Sequence, residues 1–310
     1  MKEVFQVLPE KIRKIILKLP EKTINEIEEI RLRVNRPVEV RTHTATFVVP
    51  NSATPFIFIE SDSALMLSLL SQHSVYRLEE ELKRGYITIS GGHRVGLAGR
   101  VVMEKGEVKG IRDISSFNIR VARQKYGVAK SYLTQLQQRG NWCHTLIIGP
   151  PKSGKTTLLR DIAREISKGV GSLKVEAKNV GIIDERSEIA GSVKGIPQHD
   201  FGVKVDILDS CPKAEGLMMM IRSMSPEVLV VDEIGRKEDG DAIMEAVHAG
   251  VTIFASVHGD CLEDVKARPT IASLIELGFF QRAIELNVHS KRGIVKKLDL
   301  KKRVSGVIRT

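Results

Sequence analysis

The residues best suited to chemistry lie at 145 to 157, where the apolar run Thr145-Leu-Ile-Ile leads into Gly149-Pro150-Pro151-Lys152-Ser153-Gly154-Lys155-Thr156 and then Thr157. This is the spacing of a Walker A phosphate loop. Gly149 and Gly154 let consecutive backbone N–H groups curl around a polyphosphate, Lys155 reaches its outer phosphates, and the Thr156 hydroxyl is a ligand for Mg²⁺. The stretch from Thr157 onward, Leu-Leu-Arg-Asp-Ile-Ala-Arg-Glu-Ile, opens an amphipathic helix whose N-terminal dipole faces the same phosphates. A strand before the loop and a helix after it give the context that a chance glycine-rich turn lacks.

Three further segments end apolar runs in polar residues. Val228-Leu-Val-Val-Asp232-Glu233 reads as a buried strand closing in two acids, as a Walker B element does. Asp232 is expected to hold Mg²⁺ through water, and Glu233 to orient or deprotonate an attacking water. Gly181-Ile-Ile-Asp184-Glu185-Arg186-Ser-Glu188 is a second such strand, and Val251-Thr-Ile-Phe-Ala-Ser256-Val-His258-Gly259 a third. A neutral His258 can sense a terminal phosphate or hold a water network, and Asp184 can position a catalytic glutamate or water. Taken singly, each is equally the polar end of an ordinary strand.

The elements that must position these residues follow from periodicity. From about residue 139 onward strand and helix alternate, the pattern of a parallel α/β sheet with its site at the carboxyl ends of the strands. The first half is different. Pro9 to Leu19 has helical spacing, and alternating runs at Arg31 to Val34, Val38 to Arg41, Thr46 to Val49, Phe56 to Ile59, Tyr86 to Ile89, Arg94 to Val102 and Ile119 to Ala122 predict strands. A helix is expected from Ser61 to Arg84, with Gly85 as its C-cap. Arg94, Arg100, Arg112, Arg120 and Arg123 fall in or beside those strands. Between Gln124 and Asn141 the chain turns polar and reads as a linker or short helix, which predicts a smaller α+β N-terminal domain over 1–138 and a P-loop domain over 139–310.

Composition narrows the class. A chain of 310 residues with 42% apolar content can fill two ordinary cores. No apolar run approaches the roughly 20 residues that span a bilayer, and the start lacks a signal-peptide core, so a cytoplasmic protein is expected. Cys143, Cys211 and Cys261 are few and far apart, which excludes a disulfide framework and a Cys-x-x-Cys metal site. A net charge of +10 favours acidic partners or an anionic membrane, and the run Lys291-Arg292, Lys296-Lys297 and Lys301 to Arg303 is a candidate for peripheral membrane contact. Aromatic content of 5%, with no interleaving of aromatic and basic residues, argues against specific nucleic-acid binding.

In order, Gly149 to Thr156, Ile183 to Glu188, Val230 to Arg236 and Ser256 to His258 resemble the Walker A, Asp box, Walker B and His box of the hexameric type II/type IV secretion ATPase superfamily. Upstream, Glu28 to Val40, Gly85 to Arg100 and Ile111 to Arg123 look like the stage III sporulation branch of that superfamily from endospore-forming bacteria. The resemblance implies a RecA-like P-loop fold and a Mg²⁺-dependent ATPase with ATP as cofactor, assembled as a homo-oligomer of six. It also implies a cytoplasmic motor of the mother cell, held peripherally at the membrane by the membrane-embedded proteins of a secretion-like complex leading to the forespore. By motif match Lys155 and Thr156 serve phosphate and Mg²⁺, Glu233 is the Walker B glutamate, Asp184 the Asp-box acid and His258 the His-box residue. The superfamily commonly has Glu where this chain has Asp184 and Gly-Glu where it has Asp232-Glu233, so Glu185 or Glu188 stays open as the Asp-box acid. The superfamily's arginine fingers lie before the linker, which ranks Arg94 and Arg112 first here for a site completed between subunits. The alternative from another class is a nucleic-acid-stimulated P-loop motor or a nucleotide-gated binding module.

Overall fold

The computed structural model describes residues 1–50, 54–71, 81–287 and 293–298. The chain forms two compact units, one comprising Met1–Arg123 with Gly191–Gln198, the other Gln124–Ala190 with the residues from His199 onward.

The first unit is built on a six-stranded antiparallel sheet, in the spatial order Thr46–Val48, Glu39–Thr42, Ile27–Arg33, Glu107–Arg120, His93–Glu104 and Tyr86–Ile89. Alternation decides its two faces. Ile30, Leu32, Val40, Val95, Phe117 and Ile119 point inward and pack with Ile12 and Ile16 of the helix Glu10–Leu17 and Met66 of the helix Glu60–Ser71. Of the helix expected over 61–84, residues 72–80 lie outside the described residues. The two longest strands form a hairpin in which Arg94 stands opposite Arg120 and Arg100 opposite Arg112.

In the second unit seven strands lie in the order Val205–Asp209, Val180–Asp184, Val228–Val231, Thr252–His258, Thr145–Gly149, Arg282–Glu285 and Ile294–Lys297. All pairs are parallel except the last, which is an antiparallel hairpin. The central strands are buried over their whole length because helices cover both faces, which is why their sequences are continuous apolar runs. One side is packed by Leu158, Leu159, Ile162 and Ile166 of the helix Lys155–Lys168, the other by Leu217 and Met220 of Lys213–Met224 and Ile243 of Lys237–His248. Residues 124–138, in the polar stretch read as a linker or short helix, send Ala129, Tyr132, Leu133 and Leu136 into the core of this unit. The Ala129 amide donates to the buried Asp161 carboxylate at 2.8 Å. Among the described residues no helix is long and apolar enough to cross a membrane.

Candidate functional site

The strand Thr145–Gly149 ends in the loop 150–154, and Gly154 at φ 94 turns the chain into the helix Lys155–Lys168. Only a residue without a Cβ holds that left-handed turn cheaply. Gly149 is required for a different reason, since a Cβ there would stand 2.4 Å from Ser153 Oγ. The loop therefore closes tightly, with the Ser153 amide donating to the Pro150 carbonyl at 3.3 Å. Lys155 is 5% exposed, and its ammonium donates to the carbonyl oxygens of Gly149 at 2.8 Å and Pro150 at 3.0 Å. Burial pushes the Lys155 pKa down, while the nearby charges of Asp232 and Glu233 oppose the shift.

Three neighbouring strands deliver the acids and the histidine to the same end of the sheet, because parallel pairing sets Ile148 beside Val257 and Val231 beside Ala255. Thr156 Oγ1 donates to Asp232 at 2.7 Å. The other Asp232 oxygen accepts the Ser256 hydroxyl, and Ser256 Oγ accepts the Glu233 amide at 2.9 Å. Glu233 itself has φ 54, a conformation rarely adopted by a residue with a side chain. Its carboxylate is gripped at both oxygens, by His258 Nε2 at 2.6 Å and by Arg186 Nη1 at 2.8 Å. His258 Nδ1 lies 3.1 Å from the Lys155 ammonium. An ammonium can only donate, so Nδ1 is the acceptor and Nε2 carries the proton given to Glu233.

Asp184 and its neighbours are engaged differently. The Asp184 carboxylate is 2% exposed and accepts the backbone amides of Glu188 and Ala190, each at 2.8 Å, so it braces its own loop. Burial raises its pKa to about 6 against the opposing pull of those amides. Glu185 pairs with Lys213, and Arg160 of the phosphate-loop helix donates to the carbonyl oxygens of Glu188 and Ile189 at 2.7 and 2.6 Å. A small cavity is lined by Asp184, Glu185, Arg186, Glu188, Lys213, Asp232 and Glu233.

The structure thus brings Lys155, Thr156, Asp232, Glu233 and His258 into one bonded network, with Asp184 and Glu185 beside it. Arg94 and Arg112 belong to the first unit, where Arg94 lies over the Tyr86 ring at 3.5 Å and Arg112 is exposed. The bridging role of Ser256, the loop clamp of Arg160 and the grip of Arg186 on Glu233 were not foreseen from sequence. The signal available was weak: Ser256 and Arg186 sit in the strand-end segments already singled out, and Arg160 lies one turn into a helix whose buried face admits no unpaired charge.

The donor set fits a nucleotide with Mg²⁺. Ser153 Oγ is buried inside the phosphate loop without a hydrogen-bond partner. The Lys155 ammonium, now on neutral carbonyls, would gain by exchanging them for charged oxygens, and the Thr156–Asp232 pair is the hydroxyl and carboxylate that a hard cation takes.

The model of the family described as "Sporulation stage III, protein AA" matches residues 1–305. Stage III sporulation protein AA of Bacillus subtilis (strain 168) is 53% identical over 298 residues, which span 96% of this chain and 94% of that protein. Competence protein ComGA of Streptococcus pneumoniae is 27% identical over 145 residues, 46% of this chain and 39% of that one. Among solved structures, the pilus retraction motor PilT with bound ADP aligns with a TM-score of 0.59 at 17% identity, covering 89% of this chain and 79% of that one. The Legionella pneumophila ATPase DotB aligns with a TM-score of 0.55 at 13% identity, covering 93% and 81%. At such identities the likeness is one of fold, the RecA-like P-loop fold of the secretion ATPases. With a family match that runs over nearly all its length, the chain belongs to the stage III sporulation protein AA family.

Proposed function

We propose that this chain is the ATP-hydrolysing subunit of a six-membered ring that drives a secretion-like membrane complex in endospore formation, from mother cell to forespore. The observation that carries the reading is the convergence of Lys155, Thr156, Asp232, Glu233 and His258, drawn from three strand ends, on one phosphate loop. In this reading the backbone N–H groups of 152–157 and the Lys155 ammonium hold the phosphates, and Thr156 and Asp232 would hold Mg²⁺. Bound Mg²⁺ would supply charge neutralisation at the phosphate oxygens. Glu233 takes a proton from the attacking water, and His258 keeps the carboxylate oriented.

A phosphoryl-transfer transition state spreads negative charge that one lysine and one cation only partly offset, and an added arginine is worth about 10³ to 10⁵ in rate. Arg94 and Arg112 of a neighbouring subunit are the proposed source. Each stands opposite another arginine across its hairpin, Arg94 opposite Arg120 and Arg112 opposite Arg100. Membrane-embedded sporulation proteins are the proposed partners, with the chain peripheral to the membrane on its cytoplasmic side. Lys291, Arg292 and Lys301 to Arg303 of the basic run lie outside the described residues.

The test is Mg²⁺-dependent ATP hydrolysis by the full chain together with its mass in solution. Wild type should hydrolyse ATP and shift toward a hexamer with ATP and Mg²⁺, whereas Glu233→Gln should still bind nucleotide and hydrolyse about 10² to 10⁴ times more slowly. Hydrolysis at the wild-type rate by Glu233→Gln would remove Glu233 as the base.

A further inference from the structure

We infer that Arg186 is a positioning residue for ATP hydrolysis, fixing the carboxylate of Glu233 in the orientation from which it accepts the proton of the attacking water. The inference rests on the proposed role of Glu233 as base. Glu233 starts from a left-handed backbone at φ 54, outside the strand that precedes it, and three side-chain torsions separate its carboxylate from that backbone. A general base must be held within a fraction of an ångström of its working position, so something has to immobilise it. His258 grips one oxygen at 2.6 Å and Arg186 the other at 2.8 Å.

Arg186 is itself presented by a braced loop. Both oxygens of Asp184 take amides of residues 188 and 190, Arg160 donates to the carbonyls of 188 and 189, and the Ser187 hydroxyl donates to Asp209 at 2.5 Å. Three buried or half-buried anchors thus surround Arg186, which reaches the Walker B glutamate. This also gives Asp184 and Arg160 a purpose: they shape the loop from which Arg186 reaches out.

The plain alternative is a surface ion pair. The Arg186 side chain is 60% exposed, and exposed pairs add little to folding. Under that reading Arg186→Ala changes neither melting temperature nor kinetics. Under the positioning reading, Arg186→Ala in the full chain leaves melting temperature, KM and fluorescent-ADP affinity as in wild type while kcat falls about 10- to 100-fold, the size of a misplacement of about 1 Å. Arg186→Lys, which keeps a shorter donor and the charge, should regain part of the loss. In a Glu233→Gln background Arg186→Ala should cost nothing more, because the group it positions is gone.

An unchanged kcat in Arg186→Ala, alongside a slow Glu233→Gln, overturns this inference and leaves the base assignment standing. A fall in nucleotide affinity of the same size as the fall in kcat also overturns it, since Arg186 would then serve the phosphates. Additive losses in the double variant do the same. Wild-type hydrolysis by Glu233→Gln overturns both readings together.

Discussion

Removing one oxygen atom from the centre of the site is the sharpest perturbation the geometry suggests. Ser256 is fully buried, its hydroxyl donates to Asp232 and accepts the Glu233 amide, and its carbonyl accepts the Ile234 amide at 2.9 Å. Ser256→Ala deletes the first two bonds and keeps the third. A charge-assisted bond to a carboxylate is worth about 1.5 to 3 kcal/mol, and an amide left without an acceptor costs about 1 to 3 kcal/mol. The two losses share one atom and do not add fully, so a destabilisation of about 2 to 3 kcal/mol is expected. In a unit of this size that lowers the melting transition by about 5 to 10 °C. The kinetic effect comes separately, because the amide that Ser256 holds belongs to Glu233, the left-handed residue proposed as the base. Release of that turn should lower kcat about 10- to 100-fold with less change in nucleotide affinity. Differential scanning calorimetry and steady-state hydrolysis on the same preparation provide the measurement. If Ser256→Ala melts with wild type and hydrolyses at its rate, the bridge between Asp232 and Glu233 has no energetic weight and the reasoning fails. A lower melting point with an unaltered kcat would make Ser256 a structural residue alone.

Three other outcomes are open to direct measurement. Lys155→Ala should abolish nucleotide binding, read by fluorescent-ADP titration, while circular dichroism stays that of wild type, since among the described residues the ammonium bonds to loop carbonyls and His258. Asp184 should give a pH signature: its folded pKa of about 6 lies above the ordinary 3.8, so between those values the folded chain holds a proton the unfolded chain has lost. Stability should therefore decline by about 3 kcal/mol as pH rises from about 4 to about 6. Denaturant melts across that window should show the decline in wild type and a flatter profile in Asp184→Asn, and equal profiles would refute the assignment. Finally, mixing inactive Arg94→Ala or Arg112→Ala chains with inactive Glu233→Gln chains should restore part of the ATPase activity. Mixtures that stay inactive in rings shown to exchange subunits would exclude completion of the site between subunits.

Some of this molecule is written locally in its sequence. The phosphate loop from Gly149 to Thr156 is contiguous, so spacing alone sets which backbone groups can face a phosphate, and peptide geometry leaves little for the rest of the fold to decide. The α/β character of the second half was legible for a similar reason, because burial on both faces of a parallel strand demands an unbroken apolar run such as Val228 to Val231. Other features depended on neighbours far along the chain. The strand order, which sets Thr145–Gly149 between Thr252–His258 and Arg282–Glu285, is a matter of packing, and it decides that His258 meets Lys155. Asp184 shows the limit most clearly: sequence places an acid at a strand end, yet desolvation turned its carboxylate onto the amides of its own loop. Arg186 and Glu233 are 47 positions apart and Ser256 and Glu233 are 23 apart, so no local pattern records either contact. The buried residues between Ala129 and Leu136 were hidden by the polar ones around them, because a short apolar face becomes visible only when the surface it covers is known. Sequence determined which residue types stand at the strand ends and in the loop; the rotamers and pairings that join them were decided by burial, where an unsatisfied polar group costs more than any local preference can repay.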